Sequence, residues 1–368
     1  MGGEAFFSGK NVVSVNCRKL NCNDLSCIRV EESKIRRYIF SALYARFGDR
    51  QFIDARLNPE IRNALDNVIR INGQIEHRQK QKIFFNDPSI TLTIQLLLVA
   101  ATTPVQTELI NASRDPCVVA LADFLNTAGI YAKGAGTDKI TVSGGNNFRE
   151  AVYENIPDYI EASVFIFASM VTKGYVKIKN IIPCHLRAVL HKCEELGAEI
   201  TVLDNAVIVE MNERPKAARI DFSPFPCLPD YYSPLFLVVS GLARGTGTLC
   251  NDGLQDYFSV LKCLKDMGMG IGFSADGGVC VTVIDGMEKY PLSDDMLYSE
   301  GAISCIALIL IMLSINGRNF LCNCKDLDSA FSRIVQKLNS IGAFITGRTD
   351  QTKDLHDHAA EEAKRKYS

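Results

Sequence analysis

Neither sign of charge dominates this chain. Its 40 lysines and arginines face 42 aspartates and glutamates, a formal charge of −2, so it lacks the basic surplus that nucleic acid or an anionic membrane surface selects. Long apolar runs are missing too. The longest, about residues 302–315, falls short of the roughly 20 residues that span a bilayer and reads as a buried helix. Met1-Gly2-Gly3-Glu4 does not lead from a basic stretch into an apolar one, so no export signal is expected. The five histidines are scattered, with no H-E-x-x-H. Among 13 cysteines there is no C-x-x-C pair; Cys322-x-Cys324 and the spaced set Cys17, Cys22 and Cys27 come nearest. A structural zinc site needs four convergent ligands, so the cysteines read as ordinary free thiols in a reducing compartment.

What the chain does have is length and repetition. Its 368 residues, 47% hydrophobic and 22% charged, have globular composition and exceed the ~250 to 300 residues at which single cores stop growing. Two domains are expected. One module recurs along the chain. Thr107-Glu-Leu-Ile-Asn, an apolar-periodic stretch over 118–125 and Thr127-Ala-Gly129-Ile form one copy. Tyr175-Val-Lys-Ile-Lys-Asn, Leu186-Arg-Ala-Val-Leu190 and Glu195-Leu-Gly197-Ala form another. Residues 246–251, 258–261 and 267–269 follow the same plan, as do 319–323, 331–338 and 341–345, with a weaker copy over 51–75. Each reads as strand, polar turn, amphipathic helix, glycine and strand. The marker glycines 73, 129, 197, 268 and 342 recur at intervals of 56, 68, 71 and 74, where a helix ends in the left-handed conformation that glycine adopts cheaply.

A second, more apolar helix precedes each strand, at 35–45, 91–101, 160–171, 234–243 and 302–315. Such helices are buried on several sides. The expected fold class is therefore α/β, with sheets outside and helices inside rather than one doubly wound sheet. Asn11-Val-Val-Ser-Val reads as the closing strand of an incomplete first unit, and residues 348–368 as a charged, solvated tail.

Several motifs carry a resemblance. Asn111-Ala-Ser-Arg-Asp-Pro116, Ala122-Asp-Phe-Leu125 and Gly134-Ala-Gly-Thr-Asp-Lys-Ile140 run in order. Ile156-Pro-Asp-Tyr-Ile-Glu161, Arg214-Pro-Lys-Ala217, Pro224-Phe-Pro-Cys-Leu-Pro-Asp230, Ala45-Arg-Phe-Gly48 and Phe331-Ser-Arg-Ile-Val-Gln-Lys-Leu338 add to them. Together they resemble the UDP-N-acetylglucosamine 1-carboxyvinyltransferases over residues 11–347. The sister family acting on shikimate-3-phosphate shares the fold, but its G-D-K-S and N-S-G-T segments are missing here. The resemblance implies two inside-out α/β barrel-like domains, over 1–156 and 157–347. It implies transfer of enolpyruvate from phosphoenolpyruvate to the 3-hydroxyl of UDP-GlcNAc, with release of phosphate, in cytoplasmic peptidoglycan precursor synthesis. No metal or organic cofactor is implied. Small-molecule substrates are the expected partners, with neither nucleic acid nor membrane, and the incomplete first unit favours self-association.

This chemistry needs cations for a phosphate and a carboxylate, an acid for the methylene carbon and a base for the hydroxyl. The family supplies a lysine-asparagine pair, a loop cysteine, a P-T-D aspartate and several arginines. Lys10-Asn11 matches the pair locally, but the downstream alignment places it late in the first module. Between Gly48 and Ile61, where the loop cysteine falls, there is none, and Asp54 and Glu60 are acids in its place. Pro229-Asp230-Tyr231 is one residue shorter than the family pattern; it makes Asp230 the candidate catalytic base and equally a helix cap. Lys34 takes an arginine position as a substrate-binding cation without the bidentate fork. In the diphosphate-gripping K-x-S-V-G the aligned residues are Asp87-Pro-Ser89-Ile-Thr91, so Ser89 is kept as a substrate-binding residue while Asp87 repels the ligand. Tyr257, Glu300 and Ser329 fill further arginine positions. Arg114-Asp-Pro116, Asp158 and Glu161 read as helix caps and interdomain packing. Two functions stay open: a transferase with replaced groups, and an inactive relative that binds or supports other molecules.

Overall fold

The apolar segments 90–102, 159–172, 233–241 and 302–313 form the inner helices and set the architecture. The computed structural model describes residues 4–7, 12–16, 36–47, 80–145, 147–251, 258–276, 279–291, 297–299, 301–324 and 327–347. The chain divides into two units: Met1–Pro157 with Phe222–Pro229, and Asp158–Asp221 with Asp230–Ser368.

In the first unit β1 (Glu4–Phe7) and β2 (Val13–Asn16) form an antiparallel hairpin. Then come α1 (Arg36–Phe47), β3 (Gln81–Phe84), α2 (Ile90–Thr102), β4 (Thr107–Ile110), α3 (Pro116–Thr127), β5 (Tyr131–Lys133) and β6 (Lys139–Ser143). The sheet order is β3-β4-β6-β5. β3 and β4 are parallel, as a helical crossover requires, and β4, β6 and β5 alternate in direction. α2 carries no charge over its 13 residues. It packs against α1 and α3, with Leu96, Leu97, Val99 and Ala100 wholly buried. Leu96, Leu97 and Val99 each contribute about 1.5 to 3 kcal/mol of gross burial energy, which explains why α2 lies at the centre of its unit.

The second unit repeats the scheme. Its elements are α4 (Tyr159–Thr172), β7 (Tyr175–Lys179), a 3-10 turn Pro183–Leu186, α5 (Arg187–Glu195), β8 (Glu199–Val202), β9 (Ala206–Glu210) and β10 (Arg219–Asp221). They continue with a turn Asp230–Tyr232, α6 (Ser233–Gly241), β11 (Thr246–Asn251), α7 (Phe258–Asp266), β12 (Gly270–Asp276) and β13 (Val279–Asp285). Last are β14 (Leu297–Tyr298), α8 (Ala302–Leu313), β15 (Leu321–Cys322), α9 (Leu327–Ala330) and α10 (Ile334–Ser340). The order β10-β11-β13-β12 copies β3-β4-β6-β5, β7-β9-β8 is the same sheet less its first strand, and parallel β14-β15 is its first half. The three apolar helices α4, α6 and α8 pack on one another, with Phe167 and Phe236 ring to edge at 4.8 Å. Sheets flank inner helices, the inside-out α/β arrangement that the resemblance implies.

The repeat is exact at its turns. Gly129, Gly197, Gly268 and Gly342 all have left-handed φ, between +85° and +112°. The residue after each donates to a carbonyl five positions back, as in Ile130 to Leu125 and Ala343 to Leu338, the bond that closes a Schellman cap. In four copies asparagine ends the preceding strand or directly follows it, at 111, 180, 251 and 323. Asn111, Asn180 and Asn323 are also left-handed, at φ 61°, 58° and 61°.

The last copy departs from expectation. No strand follows Gly342; residues 343–347 are irregular. The Asn339 side chain bonds both backbone groups of Ile345 at 2.8 Å, as Asn126 does with Ala132. In the first unit β6 then completes a ladder beside β5, whereas no closing strand stands beside 343–347 among the described residues. The weaker copy over 51–75 lies outside them.

Candidate functional site

A polar edge of the first unit lies where β3 and β4 deliver the chain to α2 and α3. Asn111 turns out of β4, and its Nδ2 donates to the carbonyls of Phe85 at 3.0 Å and Asn86 at 3.2 Å. The Ser113 amide donates to Thr93 Oγ1 at 3.0 Å, and that hydroxyl donates to the Ser89 carbonyl at 2.7 Å. Ser89 caps α2, its Oγ accepting from the Leu92 amide at 3.3 Å. Buried Asp115 caps α3, accepting from the Cys117 amide at 3.1 Å. Two helix N-termini therefore meet at one rim, joined by a continuous hydrogen-bond chain. Their partial positive charge suits an anion. Two exposed side chains of opposite sign stand on this rim, Arg114 and Asp87. Among the described residues Arg114 has no ion pair.

The other sequence candidates are distributed as follows. Asp230 is exposed and opens the turn Asp230–Tyr232. The residue at the cap of α6 is Tyr232, which makes no side-chain capping bond, so Asp230 stands one turn ahead of the helix start. Lys34 lies outside the described residues, as do Lys10, Asp54, Glu60, Tyr257 and Glu300. Ser329 falls within α9. Asp158 caps α4 by accepting from the amides of Ile160 and Glu161, both at 2.9 Å. Glu161 pairs with Lys337. Both belong to the second unit, so this ion pair fastens α4 to α10 and does not itself account for packing between domains.

Arg214 has a role that its motif did not disclose. Its Nε donates to Leu242 O at 2.7 Å, and its Nη2 to Ala243 O at 2.6 Å and Gly286 O at 2.9 Å. The guanidinium thus ties the exit of α6 to the residue following β13. Glu108 on β4 is held below the usual carboxylate range by a hydrogen bond from Lys139, 3.1 Å away, with Lys82 at 3.8 Å adding to it. That contribution is present above the ordinary carboxylate pKa and is lost as pH falls through the lowered value.

Within the described residues no group of three or more His, Cys, Asp or Glu side chains is placed to hold a metal ion. No helix among them is long and apolar enough to cross a membrane.

Comparisons with known proteins agree with this architecture. A profile of the family EPSP synthase (3-phosphoshikimate 1-carboxyvinyltransferase) matches residues 57–283. UDP-N-acetylglucosamine 1-carboxyvinyltransferase 2 of Clostridium acetobutylicum is 29% identical over 354 residues, covering 91% of this chain and 82% of its own. Among solved structures, the enolpyruvyl transferase NikO from Streptomyces tendae superposes with a TM-score of 0.78 at 18% identity, covering 95% of this chain and 86% of that one. EPSP synthase from Acinetobacter baumannii gives 0.61 at 16% identity, covering 81% and 73%. The structural neighbours establish the fold; the profile, spanning more than half the chain, establishes kinship. This chain belongs to the EPSP synthase family of enolpyruvyl transferases.

Proposed function

We propose that this protein descends from the UDP-GlcNAc branch of the family and no longer turns over phosphoenolpyruvate, acting as a binding protein on the enolpyruvyl transferase fold. The branch rests on the 29% identity to the Clostridium enzyme and on the Asn111–Pro116 and Gly134–Ile140 motifs. The observation that carries the loss of turnover is the rim itself. Ser89 spends its hydroxyl on capping α2, and exposed Asp87 occupies the place where the resemblance puts a lysine for the diphosphate. Each charge-assisted hydrogen bond is worth about 1.5 to 3 kcal/mol, so replacing several cations removes decades of affinity for phosphate and carboxylate groups. Arg114 is the cation on this rim that can still meet an anion.

Asp87→Lys restores the attraction. UDP-GlcNAc binding, measured by titration calorimetry at low salt, is expected to strengthen about tenfold, and the gain should shrink as salt rises. Unchanged or weaker binding would show that the ligand does not use this rim.

A transferase with replaced groups is the second reading. It rests on Asp230, whose exposed carboxylate keeps the candidate base position, and on Lys34 as a substrate cation. The nine cysteines described as free thiols fit placement in a reducing cytoplasm. Self-association through the first unit belongs to the same proposal. Phe7 and Val15 of the β1–β2 hairpin are 80% and 65% exposed, an apolar surface that a second copy can cover. Sedimentation at several concentrations should show a dimer that Phe7→Ser with Val15→Thr shifts toward monomer; a concentration-independent monomer would refute it.

A further inference from the structure

Three copies of the repeat end in a closing strand, and the last does not. β6, β9 and β13 each run antiparallel to the strand that leads to the turn asparagine. Each turns two β-branched side chains inward: Ile140 and Val142, Val207 and Val209, Thr282 and Ile284, all six wholly buried. Ile140, Val207 and Thr282 lie opposite Leu109, Ile178 and Leu249, which are buried in turn. The equivalent residue of the last copy is Leu321, two positions before Asn323 as Leu109 is before Asn111, and it is only partly buried. Among the described residues no strand pairs with β15 on the side away from β14.

The same cover is missing at the glycine turn. Ala128 and Leu196, just before Gly129 and Gly197, are buried, whereas Ile341 before Gly342 is 56% exposed. Just after the glycines, Ile130, Ala198 and Met269 are buried, and Ala343 is only partly so. The far border of the place is nonetheless built. Asn339 holds Ile345 with the same two bonds by which Asn126 holds Ala132 of β5, and β6 lies between β4 and β5. A place one strand wide is thus left between β15 and residues 343–347. The residues that follow do not carry the pattern. Closing strands open at Lys139, Ala206 and Val279, which are 10, 9 and 11 residues after Gly129, Gly197 and Gly268. The same count from Gly342 reaches Gln351-Thr-Lys-Asp-Leu-His356, where Thr352 is the only β-branched residue. β2 has the alternation in Val13 and Val15, but β1 is already paired to it, and a hairpin is too wide for a single place.

We propose that this place is a docking site for one extended strand of a partner protein, laid antiparallel to β15. Two β-branched side chains of that strand, two residues apart, turn inward over Leu321 and Ile341. Main-chain hydrogen bonds give such an added strand its affinity, and its alternate side chains give it specificity. An open strand edge is otherwise a liability for uncontrolled pairing. The site belongs to the second unit alone and is independent of any ligand at the α2–α3 rim.

The test is fluorescence anisotropy with full-length protein and a labelled peptide copying residues 205–212, which contain β9. Saturable binding in the micromolar range is expected. Replacing both inward residues of the peptide, Val207→Asp with Val209→Asp, should abolish it, while Ile208→Lys on the outward side should not. In the protein, Ile341→Asp should weaken binding about tenfold or more, since it sets a charge against the incoming apolar side chains. Phe344→Ser, at the exposed position equivalent to Tyr131, should leave binding unchanged. A photoreactive residue in place of the peptide's Ile208 should cross-link to residues 319–324 or 343–347, which locates the site even if Ile341→Asp perturbs folding. Absence of saturable binding, cross-links elsewhere, or dependence on Ile208 and not on the inward valines overturns the proposal. So does binding that appears only in Thr352→Pro with Leu355→Asp, which would make this chain's own tail the occupant. A dimer that Ile341→Asp dissociates would make it a second copy and overturn the proposal equally.

Discussion

Gly286→Ala should destabilise the second unit by about 3 kcal/mol or more, at the severe end of overpacking substitutions. A methyl group at Gly286 would lie 2.0 Å from Ala243 O, 2.8 Å from its carbonyl carbon and 3.0 Å from its nitrogen. All three are backbone atoms, so no rotamer change relieves the clash. The Gly286 amide also donates to Gly245 O at 3.2 Å, which holds the two segments together. Gly268→Ala is the control. Gly268 is left-handed at φ 85° with nothing within 4 Å of the added carbon, so it should cost only the left-handed penalty of about 1 to 2 kcal/mol. Urea unfolding compares the two. A Gly286→Ala midpoint no lower than that of Gly268→Ala would mean that the close approach of β13 to α6 is not rigid.

Arg214→Lys should be nearly as damaging as Arg214→Ala, each losing about 3 kcal/mol. The guanidinium serves Leu242, Ala243 and Gly286 at 2.7, 2.6 and 2.9 Å. One ammonium on a longer flexible stem cannot reproduce that fork, and the carbonyls it abandons are left short of donors. The same urea experiment decides. A lysine variant as stable as the parent would reduce Arg214 to a generic surface cation. Because Ala243 O is both the oxygen that Gly286 approaches and one that Arg214 holds, the two substitutions should combine less than additively.

Much of this architecture could be read before any coordinates. The periodic glycines predicted helix ends, and Gly129, Gly197, Gly268 and Gly342 all close them. The apolar helices fell within a residue or two of where composition placed them, because a segment such as Ala302–Leu313 has no polar face to offer water. Motif matching went less far with side-chain roles. Arg214-Pro-Lys-Ala217 marked kinship, but its arginine binds three carbonyls that lie 28, 29 and 72 residues away in sequence. Gly286 sits in no repeat marker, since its requirement comes from a neighbouring segment and not from its own φ. The repeated asparagines were visible as strand ends, while their left-handed turns and bonds to the adjoining segment, as in Asn111 to Phe85, are tertiary.

A transferase fold without turnover is tested most directly by phosphate release from phosphoenolpyruvate by folded protein, with and without UDP-GlcNAc. No sugar-dependent release above the background of buffer alone is expected. Sugar-dependent release that falls in Asp230→Ala would contradict it and establish a working enolpyruvyl transferase whose lost cations have been replaced.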